Sequence, residues 1–218
     1  KGSVVALVGL SGCGKSTTAA LLTRFCDAAA GHIYMEGKDY HSMKPEELRK
    51  HIAMVPQQVN LFSGTIRDNL LLADPDADDE TLMEAVKEAG LLKFVQSLEK
   101  GLDSDVGNAG ASLSGGQRQK IGIARALLSK AEYMIFDEAT SSVDPESEKE
   151  IWETIGHLAH TRTLIIISHR MSSVRSADCI YVLKDGKVAQ QGNHDTLMAQ
   201  DGLYRELVVR QQAMEVAE

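Results

Sequence analysis

An α/β fold with a mainly parallel sheet and an inserted helical segment is the architecture this sequence predicts, on three observations. Val4 to Val8, Tyr133 to Phe136 and Leu164 to Ile167 are continuous apolar runs, not alternating ones. Strands buried on both faces of a parallel sheet look like this. Each run ends on a polar residue or a glycine: Gly9, the pair Asp137-Glu138, and Ser168-His169. Open α/β sheets hold their ligands beyond the carboxyl ends of the strands, so three strands deliver their chemistry to one edge. Between Leu61 and Lys130 the strand signal fades and helical periodicity replaces it. The expected division is therefore a first part of the core over 1–60, a helical subdomain over 61–130, and a second part of the core with a C-terminal helix over 131–218.

The elements follow in order. A helix is expected from Lys15 to Phe25, directly after the first strand. Asp79 to Ala89 carries Leu82, Ala85, Val86 and Ala89 on one face, with Gly90 as its stop. Leu91 to Leu98 and Gln117 to Leu128 predict two more helices. Pro145 to Leu158 has Asp144 as N-cap, Pro145 in the first helical position, and Ile151, Ile155 and Leu158 on its inner face. Trp152 lies near that face and reads as packing. Tyr181-Val182-Leu183, then Lys184-Asp185-Gly186-Lys187, then Val188 predicts a hairpin. The tail from Leu203 predicts a final helix.

Composition narrows the function classes. The chain has 218 residues, 43% hydrophobic and 25% charged, ordinary for a globular protein. Its longest apolar runs are far too short to cross a bilayer. The opening Lys1-Gly2-Ser3 runs straight into a strand, as expected of a start cut from a longer chain. Formal net charge is −8. Asp74 to Glu88 holds seven acids and one lysine, and Asp144 to Glu153 five acids and one lysine. Both read as solvated helix faces. Neither patch offers a basic stripe, which argues against a nucleic-acid partner. Cys13, Cys26 and Cys179 make an odd count without metal-ligand spacing, fitting a reduced setting.

The chemistry sits in four places. Gly9-Leu10-Ser11-Gly12-Cys13-Gly14-Lys15-Ser16 matches the phosphate-loop pattern GxxxxGK[ST], and Thr17 follows it. Glycines let the backbone curl so that successive N–H groups face phosphate oxygens. The next helix adds its N-terminal dipole. Lys15 is expected to reach the β and γ phosphates, and the Ser16 hydroxyl to ligate Mg²⁺. Asp137 is expected to hold Mg²⁺ through water, and Glu138 to act as general base on the attacking water. His169 is placed to donate to developing charge or to position the water. Gln57, after Val55-Pro56, is a neutral candidate ligand for Mg²⁺ or the water. Last, Leu113-Ser114-Gly115-Gly116-Gln117 opens a helix whose face carries Ile121, Ala124 and Leu128. Exposed N–H groups at that start would form a second anion site. One chain does not need two such sites for one γ-phosphate, so the second is expected to serve ATP held by a partner chain.

LSGGQ is the signature of the ABC ATPases, and nearly the whole chain resembles that family in motif order and spacing. The resemblance implies a P-loop NTPase core of RecA-like type. It implies Gly9 to Ser16 as Walker A, Gln57 as the Q-loop, Leu113 to Gln117 as the signature and Tyr133 to Asp137 as Walker B. It further implies Glu138 as catalytic base, Ser141 to Asp144 as the D-loop, and His169 as the switch histidine. ATP and Mg²⁺ are the implied cofactors. The implied partners are a second nucleotide-binding domain, in a homo- or heterodimer closing head to tail on two ATPs, and transmembrane domains.

Several stretches resemble the exporter branch: Leu61 to Asn69, Asp137 to Ser141, Ser168-His169-Arg170, and Gly192 to Asp195 with Tyr204. Exporters usually fuse each ATPase to its membrane domain. The resemblance therefore implies a cytoplasmic-face domain of a longer membrane protein. Two rival readings are a separately encoded importer ATPase and an ABC protein of translation or DNA repair. Where exporters usually carry Glu and Arg, this chain has Asn108 and Ala109, which puts charge pairing with coupling helices in doubt. The family's strand pair and adenine-stacking aromatic residue ahead of Walker A are missing from the chain as given. Such stacking contributes about 1–3 kcal/mol, so weak nucleotide affinity is expected of it. Cys13 near a helix N-terminus suggests alkylation that blocks ATP binding and is prevented by ATP; a small tolerated side chain is the equal alternative.

Overall fold

The structure is a computed structural model and describes residues 2–141, 143–159 and 161–215. Val4–Val8 forms the first strand (β1), and Lys15–Leu22 the helix after it (α1). Two short strands, Tyr34–Met35 (β2) and Lys38–Asp39 (β3), make a separate hairpin. A helix at Pro45–Arg49 (α2) leads into the strand Ile52–Val55 (β4). Four helices follow without an intervening strand: Ile66–Leu71 (α3), Asp79–Glu88 (α4), Leu92–Ser97 (α5) and Gly115–Leu128 (α6). The chain then alternates through Tyr133–Asp137 (β5), Pro145–Leu158 (α7) and Thr163–Ile167 (β6). It ends in the hairpin Cys179–Lys184 (β7) and Lys187–Gly192 (β8), then His194–Met198 (α8) and Leu203–Glu215 (α9).

The main sheet has six strands in the order β4-β5-β6-β1-β7-β8. All neighbours are parallel except β7 and β8. The fold is therefore α/β with a mixed, mostly parallel sheet. Apolar runs form its centre because parallel strands covered on both faces leave no position for a solvated side chain. Ala6, Val8, Met134, Ile135, Phe136, Leu164 and Ile166 are all buried. Register aligns the strand ends: Leu7 pairs with Ile167, and Asp137 pairs with Ile167 from the other side. Gly9, Glu138 and Ser168 thus leave the sheet along one edge.

Local chemistry sets the helix bounds. Asp144 caps α7 by accepting from the Ser147 amide at 2.9 Å, and Ile151, Ile155 and Leu158 are buried beneath it. α1 stops at Leu22, short of the expected Phe25. The Arg24 amide donates to Leu21 O and the Phe25 amide to Ala20 O, closing the helix with Arg24 at φ 53°. This is a Schellman ending built without the usual glycine, so the sequence carried no stop signal. The Arg24 guanidinium anchors it by donating to the carbonyls of Tyr40 and Met43.

Several elements went unpredicted. β2 and β3 are two residues each, below the reach of any periodicity. β4 is a four-residue apolar run closed by Pro56. α3 had a readable signal in Thr65-x-x-Asp68: the Thr65 amide donates to Asp68 and the Asp68 amide to Thr65, a complete capping box. Ala109 sits in a short 3₁₀ turn at φ 52° between Gly107 and Gly110.

Candidate active site

The loop between β1 and α1 is built around what only glycine permits. Gly9 has φ 152°, and a Cβ there would meet Leu183 O at 2.4 Å and Cys13 Sγ at 2.7 Å. Gly14 caps α1 at φ 108° without any side-chain cap. The first amides of α1 are therefore left for a ligand. The β7–β8 turn braces the loop from behind. Its Asp185 and Gly186 both have positive φ, as a tight hairpin requires, and the Gly186 amide donates to Cys13 O at 3.1 Å. Lys15 is buried, and its Nζ donates to Gly9 O at 2.9 Å and Leu10 O at 3.2 Å.

A cavity of about 460 Å³ opens on this loop. Ser11, Gly12, Gly14, Lys15, Ser16, Thr17, Gln57, Asp137, Glu138 and His169 line it, so three strand ends and the loop after a fourth do converge. Gly9 and Cys13 are not on its wall. Gly9 is the buried pivot, and the Cys13 side chain is buried against it, 3.9 Å from Lys15 Nζ. A thiol packed there answers to the loop's geometry more than to the phosphate cradle.

Asp137 and Glu138 have different environments. Burial pushes the Asp137 carboxyl up from its usual value; Glu138 adds to this and Lys15 opposes it. Glu138 follows at φ 49°, held there by its amide donating to Ile167 O at 2.9 Å. A non-glycine residue in that region costs about 1–3 kcal/mol, and such strain persists only where surrounding structure enforces it. His169 is exposed, with Nδ1 3.3 Å from Glu138 Oε1. The oxygens of Ser16, Gln57 and Asp137 are hard donors around one cavity, and Asp137 is an acid whose charged form lacks full compensation. That donor set fits Mg²⁺.

The segment after β4 lies along one face of α6. Gln119 Nε2 donates to Pro56 O at 3.0 Å, next to Gln57. A Cβ on Gly122 would meet Val59 at 2.5 Å, and Arg125 donates to Asn60 O at 2.8 Å and Asn69 O at 2.7 Å. These polar anchors were not anticipated from the sequence.

Ser114, Gly115, Gly116 and Gln117 do not line the cavity; they form the start of α6. Their donors are less exposed than expected. Ser114 Oγ accepts from the Gln117 amide at 3.2 Å, and Gln117 Oε1 accepts from the Ser114 amide at 2.9 Å. Gly116 is pinned against α7, where a Cβ would meet Ser147 Oγ at 2.4 Å. Asp144 is engaged as the α7 cap. Ser142, within the expected 141–144 loop, lies outside the described residues.

The second acidic patch needs correction. Glu148 is no solvated face residue: its carboxylate accepts from Thr140 and Trp152 Nε1 and pairs with Arg170. Glu150 pairs with Lys120, and in the first patch Asp79 pairs with Arg67. Runs of acids in sequence do not show which members find a cation across the fold.

The profile of the ABC transporter family matches residues 1–141. The chain belongs to the ABC transporter family. It is similar to the ATP-dependent lipid A-core flippase 1 of Colwellia psychrerythraea, 44% identical over 206 residues. That match covers 94% of this chain and 34% of the flippase. It is also similar to the ABC multidrug transporter mdr1 of Aspergillus fumigatus, 45% identical over 209 residues, covering 95% of this chain and 16% of that protein. Among solved structures it superposes on a bacterial Atm1-family ABC exporter with ATP bound, with a TM-score of 0.91 and 41% identity. There the match covers 97% of this chain and 37% of the exporter. The chain thus spans about a third or less of the curated relatives it matches. The matches therefore make it similar to one domain of these ABC transporters and exporters. Among the described residues no helix is long and apolar enough to cross a membrane.

Proposed function

We propose that this ABC domain hydrolyses MgATP in sites shared head to tail with a second nucleotide-binding domain, and so drives export through transmembrane domains from the cytoplasmic face. The observation that carries the reading is a cavity holding Lys15, Asp137, Glu138 and His169 together while Ser114 to Gln117 open a different helix away from it. A signature segment outside its own chain's cavity is free to face the ATP of another.

The amides of Gly12 to Thr17, with Lys15, bind and orient the phosphates. Ser16, Gln57 and Asp137 would hold the Mg²⁺, which would supply positive charge to offset the negative charge developing on the phosphates. Glu138 takes the proton of the attacking water, and His169 beside it orients that water or donates to the γ-phosphate. Ser114, Gly115 and Gly116 would meet the partner's ATP, with Asp144 at the D-loop of the same interface. We read 61–130 as a helical subdomain inserted into one core; β4 at 52–55 pairs with β5 at 133–137 across it, which supports that division.

Glu138→Gln tests the reading. Turnover is expected to fall about 10²–10⁴-fold, the worth of a general base. ATP should then trap a dimer, visible by light scattering. Lost hydrolysis with no ATP dimer at any concentration would rule out the shared site.

A further inference from the structure

We propose that Glu148, on α7, is a positioning residue that locks the Glu138 loop and the His169 loop into one geometry. The proposal rests on the ATPase reading of Glu138 and His169 given above.

Those two residues follow different strands, β5 and β6. Glu138 stands at φ 49°, a conformation that needs outside enforcement. Two residues later, Thr140 is buried and its hydroxyl donates to Glu148 Oε1 at 3.1 Å. Beyond the other strand, Arg170 follows His169 directly, and its guanidinium pairs with Glu148 Oε2. Each oxygen of one carboxylate therefore holds one of the two loops. Trp152 Nε1, one turn along α7, also points at Oε1 at 3.4 Å and covers the pair.

The Glu148 side chain is 18% exposed and that of Arg170 is 35% exposed, so the pair is sheltered from solvent screening. Further bonds close the histidine side. The Arg170 amide donates to Ser168 Oγ at 2.9 Å, and the Met171 amide to Gln211 Oε1, on α9, at 2.7 Å. His169 is itself exposed, so its position beside Glu138 depends on these neighbours. A carboxylate is the group the position needs. A carboxamide has one accepting oxygen and one donating nitrogen, and so cannot accept from Thr140 on one atom and from Arg170 on the other as Glu148 does.

The test is steady-state ATPase kinetics in the full natural chain. Glu148→Gln should lower kcat about 10–100-fold, the cost of misplacing reacting groups by about an ångström. KM for ATP and the binding of a fluorescent ATP analogue should not change, because Glu148 does not line the nucleotide cavity. Glu148→Asp should recover part of the loss. Thr140→Val combined with Glu148→Gln should be no slower than the slower single variant. Glu153→Gln, exposed on the same helix, should turn over normally. If Glu148→Gln does not fold, Thr140→Val and Arg170→Lys carry the test, each lowering kcat at constant KM. Unchanged kcat in these variants overturns the role, as does a loss in which kcat, KM and melting temperature move together. Glu138→Gln runs alongside. If it is inactive while Glu148→Gln keeps its kcat, only the positioning role falls. If Glu138→Gln keeps full turnover, the site reading falls and this proposal with it.

Discussion

Two helix N-termini in this chain carry glycine-rich motifs and are finished in opposite ways. α1 begins at Gly14 with no side chain capping it, and its first amides open into the cavity. α6 begins at Ser114 with a full capping box, so the side chains of Ser114 and Gln117 already satisfy two of its amide donors. An uncapped start is costly unless a ligand supplies the missing acceptors. A capped start is stable by itself and gives up little until something better arrives. The difference teaches that a helix start built to hold an anion within the chain is left unfinished. Under the proposed shared site, a start that meets its ligand only at an interface is closed while it waits.

Lys15→Ala should produce the largest effect. ATP affinity should drop about a hundredfold, the worth of roughly 3 kcal/mol of charge-assisted bonding. Isothermal titration of the monomeric chain reads it. Ser114→Ala in the same titration should leave affinity unchanged; an equal loss there would collapse the distinction between the two starts.

Next come the glycines that hold each motif against its neighbour. Gly9→Ala drives a Cβ into Leu183 O, and Gly116→Ala drives one into Ser147. Each should lower stability by about 1–3 kcal/mol, as overpacking does, measured by urea unfolding. Ser147→Gly should rescue Gly116→Ala but not Gly9→Ala.

Ser114→Ala should cost about 1 kcal/mol of stability through the lost cap, read from the same unfolding curves. ATP-induced dimerisation should weaken as well.

The smallest effect separates two capping boxes. The α6 box has no ionisable member, whereas the α3 box contains Asp68. The Thr65 amide and hydroxyl donating to Asp68 hold its carboxyl below the usual range. A lowered folded pKa contributes stability above the unfolded value, and this is lost as pH falls through the folded one. Asp68→Asn should therefore lower the melting temperature at neutral pH, with the gap closing in acid. Ser114→Ala should show a gap that does not vary with pH over the same range.

Much of the site was legible because its motifs are contiguous. A phosphate loop, an acidic pair at a strand end and a capped Ser-Gly-Gly-Gln start each fit within a few residues. Local backbone rules alone interpret them. The α7 cap was readable from Asp144-Pro145 for the same reason. The end of α1 was not, because Arg24 takes a left-handed conformation that sequence associates with glycine, stabilised by carbonyls of Tyr40 and Met43 far along the chain. Glu148 was hidden for a related reason. In sequence it is one of five acids between Asp144 and Glu153; in the fold it is the one that meets both Thr140 and Arg170.

Residue types and spacing were enough to show three strands delivering chemistry to one edge, the phosphate loop and the family to which the chain belongs. Those depend on residue type and spacing along a continuous backbone. The tertiary structure alone decided that Lys15 is held by loop carbonyls, that the β7–β8 turn braces the loop, and that one carboxylate joins the Glu138 and His169 loops. Those depend on atoms brought within about 3 Å from distant positions, the range at which hydrogen bonds act and which spacing along the chain does not encode.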